Sequence, residues 1–139
     1  MADYFTNFSL ILRLNKEQQE YALNLVNAVE GYRNEGRSLP ADFPECIGEV
    51  VEDWPFDVEA VSEGIWINSQ YGGQESVCAF IQHLLHKFDF APSVAFEWSH
   101  DCSKPRTDAY GGGAAYITST EIETFSTSEW LRACLKNHE

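Results

Sequence analysis

Cys102 stands two residues after His100, and side chains two apart on an extended segment project to the same side. A thiol beside an imidazole base is the smallest arrangement that makes a thiolate nucleophile. Asp101, Lys104, Arg106, Asp108 and Tyr110 share the same eleven positions, and Gly111-Gly112-Gly113 follows them. Lys104 and Arg106 flank Pro105, which stiffens the loop and keeps the residue before it extended. Two cations on a stiff loop beside glycines, whose amides a ligand approaches closely, suit an anion. Trp98, at the mouth of the loop, offers a ring for stacking. His83 and His86, three residues apart, share a helical face and with a loop Asp or Cys would supply zinc ligands.

Each of these constellations also has a structural reading, and it weighs more. The chain contains neither G-x-x-x-x-G-K-[ST] nor G-x-G-x-x-G, and its glycines lead into a strand, not a helix N-terminus. Arg106 is expected to pair with Asp101 or Asp108 and clasp a long hairpin. The glycines then make a bulge or a close strand contact. No thiol-hydrolase signature surrounds Cys102, and lone cysteines are mostly small buried packers. His83 and His86 suit the solvated face of a helix whose other side is apolar. No metal and no cofactor are expected. Trp98, His100, Cys102, Lys104, Arg106, Asp108 and Tyr110 stand as the alternative location for a small-ligand or catalytic site.

Charge points elsewhere. The 139 residues carry 22 acids against 9 bases, a net charge of −13, so the chain repels phosphate backbones and direct nucleic-acid binding is not expected. From Arg37 to Lys87 there is no Lys or Arg. Within that span fall Asp42, Glu45, Glu49, Glu52, Asp53, Asp57, Glu59, Glu63 and Glu75. Like charges without counter-charge repel one another unless solvent or a partner absorbs them. The first eight are therefore expected to form a docking surface for a basic protein groove; the competing reading is a solubilising face.

The elements that must hold these residues are legible from periodicity. Tyr4 to Leu14 alternates as a first strand, and Asn15 with Gln18 forms a capping box for a helix from Lys16 to about Arg33. A short helix starts at Pro44. Asp57–Val61 and Gly64–Asn68 make a hairpin, and Gln74–Phe88 carries a wide apolar helical stripe. Val94–Trp98 and Ala114–Thr118 are strands around the polar loop. Ser126 with Glu129 caps a short last helix bearing Trp130, Leu131 and Cys134. The expected fold is a single α+β domain. It has a mostly antiparallel sheet of four to five strands, two long helices on one face and a short C-terminal helix.

Four widely spaced cysteines without a C-x-x-C pair, no export signal, and no apolar run near the ~18 residues that span a bilayer lead to a cytoplasmic expectation with reduced thiols and no membrane partner. The run Phe96-Glu97-Trp98-Ser99-x-x-Cys102-Ser103-Lys104-Pro105-Arg106-x-Asp108-x-x-Gly111-Gly112-Gly113 resembles a pattern in an uncharacterised family of small acidic proteins of bacteria, phages and plasmids. The resemblance extends from the N-F-S-L opening at Asn7 to the T-S-E-W-L close at Thr127. It implies no catalytic residues, since no activity attaches to the family. Through the association with mobile elements it implies host-takeover or anti-defence roles, as in anti-CRISPR inhibitors and nucleic-acid mimics.

Overall fold

The computed structural model describes residues 2–137. Strands β1 (Tyr4–Arg13), β2 (Asp57–Val61), β3 (Gly64–Ser69), β4 (Val94–Cys102), β5 (Gly111–Ile117) and β6 (Ile122–Ser126) form one antiparallel sheet in the order β2-β3-β1-β4-β5-β6. Helices α1 (Lys16–Glu35), α2 (Glu45–Gly48), α3 (Gln74–Phe88) and α4 (Thr127–Lys136) complete an α+β domain. None of these helices is long and apolar enough to cross a membrane.

The sheet has six strands, not the four or five expected. β6 is the addition. Its sequence, I-E-T-F-S, sits in a Ser/Thr-rich stretch that reads as a loop, and four of its five residues are exposed. The strands around the polar loop are also longer than expected. β4 continues to Cys102 and β5 begins at Gly111, so only Ser103 to Tyr110 remains as loop.

Local signals set the ends of the first helix. The Asn15 side chain accepts from the Gln18 N–H while the Gln18 side chain accepts from the Asn15 N–H, and Gly36 closes the helix with a positive φ. The hairpin β2–β3 pairs Val61 with Gly64, as its turn residues dictate.

β1 is the joint of the sheet. Phe8 to Arg13 pairs with β3, whereas Tyr4 to Asn7 pairs with the far end of β4. Alternation sends Phe8, Leu12, Ile65, Ile67, Phe96, Ala115 and Ile117 to one face. There they join Ala22, Leu25, Val26 and Val29 of α1 and Val77, Phe80, Ile81, Leu84 and Leu85 of α3 in a single core. The other face exposes Ser9, Ile11, Arg13, Glu97, Asp101 and Tyr116 to solvent, the usual division for an antiparallel sheet.

The expected close strand contact falls at Gly113, opposite Trp98. A Cβ at Gly113 would lie 2.6 Å from Cε2 of the Trp98 ring and would also strike the Phe125 carbonyl. The indole occupies the space of the missing side chain. Gly113→Ala is therefore expected to destabilise the fold by about 1–3 kcal/mol in urea unfolding. Gly48→Ala, at a position with nothing within 4 Å, serves as the near-neutral control.

Candidate functional site

Two regions compete for the site, and the structure treats their residues differently. In the first, Ser103 to Tyr110 is tied down by backbone. The Asp3 N–H donates to Ser103 Oγ at 2.8 Å, the Ser103 N–H donates to the Asp3 carbonyl, and Ala109 is buried beneath the loop. Arg106 pairs with neither Asp101 nor Asp108. Among the described residues the ion pair is Arg37–Glu35, at 2.6 Å. Asp101 is instead consumed locally, accepting from the Cys102 N–H at 2.7 Å. The clasp exists, but main chain, the Ser103 hydroxyl and buried Ala109 make it. A charged side chain is not needed for that, and Arg106 is left in solvent.

A hollow of about 300 Å³ gathers Tyr4, Thr6, His100, Asp101, Asp108 and Tyr110. Cys102, Lys104 and Arg106 do not line it, nor does Trp98. Cys102 and His100 do face the same side of β4, as their spacing requires. However, Cys102 is buried opposite Tyr4, and His100 Nδ1 is engaged with the Thr6 hydroxyl at 2.9 Å. The loop thus separates its two cations and its thiol from its imidazole and carboxylates. Lys104 and Arg106 stay outside the hollow, and the imidazole that would serve Cys102 is engaged through Nδ1 with Thr6. Trp98 lies between Phe96 and Gly113 and borders a groove lined by Asp53, Glu75, Cys78, Ile122 and Glu129.

The histidines of α3 separate as well. His83 is half-buried, with the Tyr21 hydroxyl 2.7 Å from Nε2, while His86 is exposed. Among the described residues, no three His, Cys, Asp or Glu side chains are grouped to hold a metal ion. Burial first, then the Lys87 and His86 charges, hold the His83 imidazole below its ordinary value, which favours the neutral ring beside the Tyr21 phenol. Burial raises the Cys78 thiol to about 11, which makes it an inert packing group.

The second region is the acidic run. Ile47, Val51, Trp54 and Phe56 are buried in the core, and the Trp54 and Phe56 rings stack near Phe80. These four anchors fix a chain whose intervening positions point outward. Asp42, Glu45, Glu49, Glu52, Asp53, Asp57, Glu59 and Glu63 are all exposed. They run from the approach to α2, past the anchors, and along β2, the edge strand beside α1. Glu52 accepts a 2.6 Å hydrogen bond from the Tyr32 hydroxyl, and that bond holds the phenol above its usual range. None of the eight carboxylates has a Lys, Arg or His nitrogen of the described residues within 4.0 Å.

Sequence reading missed one further surface. Ile122 and Phe125 of β6, with Trp130, Leu131 and Leu135 of α4, are exposed. The β-branched Ile122 and Thr124 were the available signal for the strand.

Comparison of the chain with protein-family models, with curated proteins and with solved structures finds no match.

Two outcomes follow. Arg106→Ala and Lys104→Ala, at exposed positions without partners, should each change stability by no more than about 0.5 kcal/mol. His83 sets a pH dependence. The unfolded chain takes up this proton near 6.5, the folded chain only at lower pH. The contribution is thus fully present above the unfolded value and is lost as pH falls toward the folded value. Unfolding midpoints measured between pH 7 and 5 should fall with acid, and His83→Gln should flatten that part of the profile.

Proposed function

We propose that this protein is a non-enzymatic interaction module whose acidic edge docks on a basic surface of another protein. The single observation that supports this reading is the set of eight exposed carboxylates with no cation of the described residues within 4.0 Å. Four buried side chains, Ile47, Val51, Trp54 and Phe56, hold this stretch on a fixed frame. Unpaired charges held on a fixed frame retain the long-range field that steers a cationic partner, over the ~8 Å Debye length of physiological salt. Neutralising them with the chain's own arginines would abolish that field.

The matching partner is a basic groove of the kind that handles nucleic acid, and the protein would occupy it as a mimic of the phosphate backbone without itself binding nucleic acid. An inhibitor of a defence complex fits this description, as does the resemblance to proteins of phages and plasmids. A cytoplasmic location suits the four free cysteines, two of which, Cys78 and Cys102, are buried.

Affinity capture from a host extract, at rising salt and with duplex DNA as competitor, tests the reading. Capture should weaken steeply with ionic strength, and DNA should displace the captured protein. Converting Glu45, Glu49, Glu52 and Asp53 together to their amides should slow association by roughly tenfold or more at low salt. Capture that ignores salt, or that survives the four substitutions unchanged, would exclude a docking role for this edge.

A further inference from the structure

An open sheet has two edges, and here they differ in what they can pair with. β6 forms one edge of the order and bonds only to β5. The Thr118 N–H donates to the Glu121 carbonyl across the β5–β6 turn, so by ladder alternation Ile122, Thr124 and Ser126 direct their backbone groups to the free side. β6 has no Lys, no Pro and no bulge, the usual guards of an exposed edge. Glu123 is its single charge.

The helix that follows is left equally open. α4 buries none of its ten residues, and Trp130, Leu131 and Leu135 are 56, 53 and 69% exposed. They share one helical face with Cys134, while Glu129, Arg132 and Lys136 lie on the other. A helix of this length gains its stability from covering an apolar face rather than from propensity. That face carries no charge, and it lies at the opposite end of the sheet from β2.

We propose that the cover is a second copy of this chain, joined through β6 about a two-fold axis with each α4 flanking the junction. Register selects this occupant. A two-fold axis normal to a continuous antiparallel sheet must pair residues of the same face. With all five residues of β6 overlapped, Thr124 falls on its own copy, Glu123 opposite Phe125, and Ile122 opposite Ser126. No like charges fall directly opposite one another, and Thr–Thr is a favourable cross-strand pair. The same operation on β2 sets Glu59 against Glu59. Self-pairing is open to β6 and closed to β2.

The areas agree. Ile122 on one face of β6, Phe125 on the other, and Trp130, Leu131 and Leu135 of α4 together leave on the order of 500 Å² of apolar side chain uncovered per copy. That is most of the roughly 800 Å² that each partner buries in a standard interface. The ladder backbone adds to it, and because Ser126 faces the second copy's Ile122, each α4 starts beside its neighbour's strand.

Light scattering and sedimentation of the full chain test the assignment. The wild-type protein should run at twice the 15.8 kDa chain mass. Thr124→Pro, which removes the outward N–H on the axis, and Leu131→Glu/Leu135→Glu, which charges the helix face, should each give monomers with unchanged circular dichroism. Lys104→Ala, at an exposed position on neither edge strand, should leave the dimer intact. A wild-type monomer at the highest soluble concentration overturns the proposal. So does a dimer indifferent to the double glutamate variant, whose substituted positions are exposed and do not threaten the fold.

Discussion

The antiparallel pairing of β1 with two different strands positions everything else. Its second half bonds to β3 and its first half to the far end of β4, with Thr6 additionally bridged to Tyr71. One half-sheet, β2-β3, stands beside α1. The other, β4-β5-β6, stands beside α3 and α4. The Phe8 and Phe96 rings, 5.4 Å apart, pack between the halves where β1 and β4 diverge. The Asp3–Ser103 and Thr6–His100 hydrogen bonds span 100 and 94 residues, so the first half of β1 is secured only after most of the chain is in place.

This division also sorts the surface chemistry. The carboxylate-rich stretch runs from α2, packed on α3, to β2, beside α1, and its Asp53 borders the groove next to Ile122. The polar loop belongs to the end of β4, and the uncovered apolar side chains belong to β6 and α4. His100 and Cys102 are drawn inward by strand alternation, the first to Thr6 and the second to the core side of Tyr4. Lys104 and Arg106 sit beyond the last ladder residues, where no neighbouring strand bends round to meet them. The separation follows from where β4 stops.

Legibility in the sequence tracked how much of the determining physics was local. Asn15 and Gln18 announce the start of α1 because a capping box needs only four consecutive residues. The stripe from Val77 to Leu85 announces α3 because one face of that helix is wholly buried. Ser99 to Cys102 reads as loop because that end of β4 projects past the core and alternates polar residues on both sides. β6 reads as loop for the same reason, since neither of its faces is buried. The absence of Lys and Arg from the acidic stretch is plain in the sequence. Whether arginines from elsewhere would fold back onto it is a three-dimensional question, and the answer rests on the tertiary positions of Arg33, Arg37 and Arg106. The mistaken pairing of Arg106 with Asp101 or Asp108 has that origin: proximity in sequence does not ensure reach.

The carboxylates along β2 have a consequence for growth beyond small assemblies. A sheet with two receptive margins can add copies at both ends without limit, the route to fibres. Asp57 and Glu59 make one margin repel its own kind. Any joining through the remaining margin therefore closes on itself after one step. The same negative side chains that would draw in a foreign cationic surface would also oppose growth through β2.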